Sequence, residues 1–216
     1  TNAEAAAQAD TAVLVVKPQD INALLAEIRD ALPADALVVC IAAGITTAQV
    51  EAVLAPGTPV VRVMPNTPAL VDEGMAALSP GAACTPAHLA RARSLLEATS
   101  RVVEVAEYHQ DAVTALSGSG PAYLFYVVEA MVEGGVLVGL PRDVARELVI
   151  QTVYGAATML KETGTHPTVL REQVSSPAGT TIHAVRELDA HGVRAAFITA
   201  IEAARDRSRE LSSGQT

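Results

Sequence analysis

Tryptophan is absent from this chain, and aromatic residues of all kinds make up only 3% of its 216 positions. A core with so few rings has to be assembled from Ala, Val, Leu and Ile, in a chain that is 50% hydrophobic. Basic clusters are missing as well. Fifteen Lys and Arg stand against 24 Asp and Glu, for a net charge of −9. That balance excludes nucleic acid and anionic membrane as expected partners. Cysteine is scarce: Cys40 lies inside an apolar, strand-like run and Cys84 is far from it in sequence. Two buried free thiols are expected rather than a disulfide, in a cytoplasmic setting. The histidines (His88, His109, His166, His183, His191) show no ligand spacing with Cys, Asp or Glu, so no metal site is expected. No signal peptide is expected at the start. The longest apolar stretch, Ala122 to Leu140, is broken by Glu129, Glu133 and three glycines, which excludes a membrane span.

The pattern G-x-G-x-x-G is also absent. Gly118-Ser119-Gly120 runs into Pro121 and lacks the third glycine, so it reads as a helix start. The chain opens a few residues before an apolar strand that needs neighbours on both sides. A preceding βαβ unit of on the order of 50–60 residues is expected on that ground.

The pattern that is present divides into two rhythms. T-A-V-L-V-V (11–16), A-L-V-V-C-I (36–41), V-V-R-V-M (60–64) and R-V-V-E-V (101–105) read as strands. Helical spacing falls between them over Ile21 to Leu32, with Asp20 available to cap, and around Thr47 to Leu54. A shorter apolar run lies near Met75 to Leu78, and a helix opens at Thr85-Pro86. The repetition predicts an α/β, Rossmann-type domain over 1–106 with a mainly parallel sheet, N-terminally incomplete. Beyond Ala106 the strand signal stops. Helical periods cover Asp111 to Leu116, Ala122 to Val138, Val144 to Leu160, Ile182 to Leu188 and Ala195 to Leu211. An all-α domain over 107–216 is expected, its long central helix buried against a second subunit.

The richest stretch for chemistry is Q-V-S-S-P-A-G-T-T-I-H-A-V (173–185). Ser175, Ser176, Thr180 and Thr181 surround a Pro-x-Gly turn that opens an amphipathic helix, with Thr180 or Thr181 as N-cap. A helix start presents unsatisfied N–H groups and a positive dipole end. No Lys or Arg lies in that stretch, so a monocarboxylate suits it better than a triphosphate. A well-capped helix after a surface loop is the plain alternative. Three strands end in Val16-Lys17-Pro18, Ala42-Ala43-Gly44 and Met64-Pro65-Asn66-Thr67-Pro68, along what must be one carboxyl edge of a parallel sheet. Ligands of open α/β sheets bind at that edge, and a nucleotide-type ligand is the reading.

These segments resemble a known family. V-K-P-Q (16–19), A-A-G-I-T from Ala42, V-M-P-N-T-P (63–68), L-S-G-S-G-P-A-Y (116–123), G-L-P-R (139–142) and V-S-S-P-A-G-T-T-I-H-A (174–184) occur in the order seen in pyrroline-5-carboxylate reductases. The resemblance covers Asn2 to Leu211, and its last motif is the most specific. It implies NADPH- or NADH-dependent reduction of a cyclic imine carboxylate, 1-pyrroline-5-carboxylate, to L-proline, the last step of proline biosynthesis. It also implies a helical dimerisation domain, with homodimers assembling into larger homo-oligomers. By the same resemblance Asn2, Val15, Val16, Lys17, Pro18, Ala43 and Gln173 match cofactor-binding positions. Ser175, Ser176, Gly179, Thr180 and Thr181 match the substrate loop, and Glu107 matches a position near the substrate.

In the mechanism these residues suggest, the carboxylate rests on the N–H groups opening the Thr180 helix, with the Ser176 hydroxyl. The Thr181 hydroxyl is the candidate catalytic partner of the ring nitrogen. Two other functions remain open: a related hydroxyacid dehydrogenase, for which Lys161 is the sole lysine candidate in the helical half, and a non-enzymatic helical assembly.

Overall fold

The computed structural model describes residues 1–212. Two compact units divide the chain. One takes residues 1–121 and the C-terminal segment from 201 onward; the other is Ala122–Ala200. The sequence-based domain limit at 106 follows the end of the strand signal, whereas this division falls at Pro121; residues 213–216, assigned to the second domain on sequence, lie outside the described residues.

The first unit carries a five-stranded sheet in the order β1 (Thr11–Leu14), β2 (Leu37–Cys40), β3 (Val60–Met64), β4 (Gly74–Pro80), β5 (Ser100–Glu104). Valine-rich β2 is buried at all four positions, as expected of a strand covered on both faces. Its side chains alternate between two cores. Val38 and Cys40 join Leu14, Ile21, Leu25, Ile28, Val50 and Val60 on one face. Leu37 and Val39 join Val61, Val63, Ala76, Leu78 and Ala92 on the other. Helix α1 (Asn2–Ala6) precedes β1, and α2 (Ile21–Ile28), α3 (Thr47–Glu51) and α4 (Pro86–Leu96) form the crossovers. Burying Cys40 and Cys84 pushes both thiols up from their ordinary range, so both stay protonated at neutral pH, and both are free.

Four local details differ from the expectation. The run near Met75–Leu78 is the centre of a strand, β4, and it pairs antiparallel with β3, Val63 opposite Leu78. Connection length explains this: only residues 65–73 join the two strands, with a short 3₁₀ turn over Thr67–Val71 and a left-handed Asp72 at φ 60°. A parallel crossover needs a dozen residues or more. β1–β2, β2–β3 and β4–β5 are parallel. Second, α1 is a short helix that hydrophobic periodicity did not announce; Thr1 and Glu4 close it with a reciprocal capping box. Third, Asp20 makes no side-chain cap on α2, which instead continues directly from a 3₁₀ turn over Pro18–Asp20. Fourth, helix α5 (Gln110–Val113) passes into a π-turn over Thr114–Gly118, a wider coil than the expected helix.

Helices α6 (Gly120–Leu137), α7 (Arg142–Thr163), α8 (Pro167–Gln173), α9 (Thr180–Ala190) and α10 (Val193–Ser212) complete the chain; α8 lay outside the helical periods read from sequence. α6 and α7 touch where Gly135 faces Ala145, close enough that a Cβ on Gly135 would sit 2.9 Å from the Ala145 methyl. Their buried contact is thin, Val132, Ala145 and Val149 with a few half-buried neighbours. Leu124, Phe125, Leu137, Val138 and Leu148 of this unit remain exposed. Among the described residues no helix is long and apolar enough to cross a membrane.

Candidate active site

In the first unit, β1, β2 and β3 run parallel, so Val15-Val16-Lys17-Pro18, Ala42-Ala43-Gly44 and Met64-Pro65-Asn66 follow their strands at one carboxyl edge. The β1 ladder stops at Leu14, and Lys17 continues extended at φ −65°, ψ 148° before Pro18 opens its 3₁₀ turn. Lys17 and Ala43 are exposed, whereas Gly44 is buried. An open groove of about 360 Å³ runs beside the first strand, with Asn2, Thr11, Val15 and Val16 in its wall. Asn2 is held there by Glu27: its backbone N–H donates to Oε1 at 3.0 Å and its side-chain amide to Oε2 at 2.8 Å. The amide of Asn2 is the main reason the Glu27 carboxyl lies below the usual carboxylate range.

Asn66 fastens the third loop. Its Oδ1 accepts the Met75 N–H at 2.8 Å, and its Nδ2 donates to the Ser117 carbonyl at 3.2 Å in the π-turn. Behind the edge lies an ionic cluster for which the sequence offered one overlooked sign, an arginine inside the apolar strand V-V-R-V-M. Arg62 is 5% exposed. Its Nη1 lies 3.5 Å from Glu107 Oε1 and its Nη2 4.0 Å from Asp111 Oδ1. Glu107 is further occupied by the Thr47 N–H and the Thr47 hydroxyl, each at 2.7 Å. Both of its oxygens are therefore engaged within the first unit, at the start of α3.

The second unit holds the Ser-Ser-Pro-Ala-Gly-Thr-Thr loop. The Gly179 N–H donates to the Ser176 carbonyl at 3.0 Å, closing a turn around Pro177 and Ala178. Ala178 is the left-handed residue of this turn, at φ 54°, a position that normally favours glycine. Gly179 is extended at φ −78° and is needed for space: a Cβ there would run into the Ser176 hydroxyl. The N-cap of α9 is Gly179, with no side-chain cap, in place of the expected threonine. Thr180 and Thr181 are consequently the first two helical residues, where backbone N–H groups have no partner within the helix. The His183 ring Nδ1 lies 2.9 Å from the Gly179 carbonyl, which can only accept, so it steadies the cap as an N–H donor. The Ser175 hydroxyl donates to the Arg171 carbonyl at 2.7 Å and braces the loop against α8. Thr181 is half-buried and Ser176 exposed. Gln173 ends α8, in the same unit as the loop. No group of three or more His, Cys, Asp or Glu able to hold a metal exists among the described residues.

Comparison with known proteins decides the family. Residues 107–211 match the family described as pyrroline-5-carboxylate reductase dimerisation. A pyrroline-5-carboxylate reductase of Corynebacterium melassecola is 50% identical over 213 residues, 97% of this chain and 79% of that protein. The chain belongs to the pyrroline-5-carboxylate reductase family. A second member, from Methanosarcina acetivorans, is 45% identical over 97% of this chain and 78% of its own length. The solved pyrroline-5-carboxylate reductase of Coxiella burnetii superposes with a TM-score of 0.91 at 38% identity, covering 98% of this chain and 79% of that one. The Plasmodium falciparum pyrroline carboxylate reductase, solved with NADP bound, also gives 0.91, at 29% identity over 98% of this chain and 80% of that one. Residues 1–44 match a family described as NADP oxidoreductase, coenzyme F420-dependent. In this reductase the fold is therefore Rossmann-type α/β with a helical dimerisation region, and the exposed apolar residues of α6 and α7 lie within that region.

Proposed function

We propose that the loop from Ser175 to Thr181 is the clamp for a small cyclic imine bearing one carboxylate, and that the chain reduces 1-pyrroline-5-carboxylate to L-proline. The observation that carries this is the start of α9: an uncapped first turn, a hydroxyl at both of its opening positions, and no basic residue anywhere in the loop. Such a site holds a single negative charge on backbone N–H groups and hydroxyls. The Thr180 and Thr181 N–H groups and the Ser176 hydroxyl hold the substrate carboxylate. The Thr181 hydroxyl lies at the ring nitrogen, orienting the imine and favouring its protonated form, whose carbon accepts hydride more readily. The C=N carbon gains a hydride, the nitrogen keeps its proton, and a secondary amine results.

NADPH or NADH supplies the hydride. The strand-end residues fit such a cofactor: small exposed Ala43, the backbone of Val15, Val16, extended Lys17 and Pro18, and Asn2 beside the groove are its holders. Gln173 is also assigned to the cofactor. Glu107, whose oxygens are taken by Thr47 and Arg62, acts as a positioning group rather than as a direct ligand. The functional boundary is placed at Ala106, the helical region pairs with a second copy and such dimers build a larger homo-oligomer, and the enzyme works in the cytoplasm.

The test is the loss of reduced-nicotinamide absorbance when 1-pyrroline-5-carboxylate is added to the full chain, with the product identified as proline. Oxidation of NADPH or NADH dependent on the imine is expected. Failure to turn over this imine, alongside activity on a 2-hydroxy or 2-keto acid, would replace the proposal with the dehydrogenase reading.

A further inference from the structure

The last turn of α10 returns to the sheet and lies against the loop that follows β2. Gly44, at φ 77°, is buried there, and a Cβ built on it would stand 3.4 Å from the Ser212 hydroxyl and 3.6 Å from the Ser212 backbone nitrogen. The loop backbone is thus flush against the helix end. The other end of the same loop is fastened by Glu107, which takes the N–H and hydroxyl of Thr47 at 2.7 Å each. Arg62 joins these two attachments, bridging Glu107 at 3.5 Å and Asp111 at 4.0 Å. Asp111 in turn accepts the Ser208 hydroxyl at 2.8 Å; the Ser212 hydroxyl lies 3.3 Å from the same carboxylate oxygen and 2.9 Å from the Ser208 carbonyl, its nearer acceptor. Ser208 is itself buried, although it lies on a mainly polar helix end.

The contacts form a closed circuit within the first unit: loop, Glu107, Arg62, Asp111, Ser208 with Ser212, and loop again. A surface helix end needs no buried serine for its own stability, yet Ser208 is buried and Ser212 half-buried. Ser208, donating to Asp111, and Ser212 one turn on, bonded back to Ser208 and lying against Asp111, hold that turn at a set height over Gly44. The residue beside Gly44 is Ala43, exposed on the cofactor edge.

We propose that Ser208 and Ser212, through Asp111 and Arg62, are positioning residues for the cofactor: the end of α10 sets the conformation of the Ala42–Thr46 loop and thereby the affinity for NADPH or NADH, without touching it. The inference rests on the assignment of Ala43 to the cofactor edge. The test is the Ser208→Ala/Ser212→Ala double variant of the full chain, with steady-state constants for both substrates and a melting curve. The expected result is a KM for NADPH raised about 5- to 20-fold, the scale of coupling lost from such a network, while kcat and the KM for the imine stay within about twofold. An unchanged KM for NADPH overturns the proposal. So does a parallel change in both KM values and kcat together with a lowered melting temperature, which marks a merely structural role. Ala43→Asp separates the two levels. If it leaves the KM for NADPH unchanged, the assignment of the loop itself fails. If it raises that KM while the serine variant does not, the loop reading stands and the role of α10 falls.

Discussion

Thr181→Ala lowers turnover about 10- to 100-fold, the contribution of one hydrogen bond to a charged group at about 1.5–3 kcal/mol, without loss of folding. Thr181 is the second residue of α9, whose N-cap is Gly179 without any side-chain cap. The hydroxyl is therefore not what starts the helix, and alanine is a better helix former than threonine. Nor is the threonine methyl part of a hydrophobic core. The substitution consequently reports on chemistry. Thr181→Ser, which keeps the hydroxyl, retains most of the turnover, and the KM for NADPH is unaffected by either change. Steady-state rates with an accompanying melting curve check this. Unchanged turnover in a folded Thr181→Ala protein removes the hydroxyl from the mechanism.

The largest stability effect is expected at Arg62→Met. Methionine fills much of the same space, but Glu107 and Asp111 lose the cation between them. Removing one partner of a fully buried ion pair costs about 3–5 kcal/mol, because the remaining charge is left unpaired. Here the Arg62 side chain is 6% exposed but Glu107 and Asp111 are 29% and 19% exposed. Water reaches the carboxylates, so the lower end, about 3 kcal/mol, is the appropriate figure. For a chain of this length that is a fall in Tm on the order of 10 °C. Adding Asp111→Asn to Arg62→Met removes one of the two stranded charges and recovers part of the loss, a coupling that a double-mutant cycle measures. Additive losses would mean that Arg62 and Asp111 do not interact across their 4.0 Å separation.

Much of this architecture is legible in residue patterns because it depends on local rules. Val-rich runs at 37–40 and 60–64 could be covered on both faces only by crossover helices, and the punctuation after each strand had to share an edge once the strands were parallel. The direction of β4 was not legible in the same way. It follows from the short connection over residues 65–73, and apolar periodicity is blind to connection length. Within the Ser-Ser-Pro-Ala-Gly-Thr-Thr loop, residue types pointed to the turn and the helix start, but not to which residue takes which role. The Pro-x-Gly pattern marked the turn; within it Ala178 takes the left-handed conformation, and Gly179 makes room for the Ser176 hydroxyl. The cluster around Arg62 was missed because its members are far apart in sequence. An arginine within V-V-R-V-M was the available sign, since a buried cation requires partners, but only the fold brings Glu107 and Asp111 to it.

The carboxylate seat at the start of α9 is tested most directly by a substrate that lacks the carboxylate. The measurement is kcat/KM for 1-pyrroline against that for 1-pyrroline-5-carboxylate, at saturating NADPH. Of the three donors to the carboxylate, even two charge-assisted hydrogen bonds at roughly 1.5–3 kcal/mol each predict a loss of about 100-fold or more for the ring without its carboxylate. Equal kcat/KM values for the two imines would contradict the clamp.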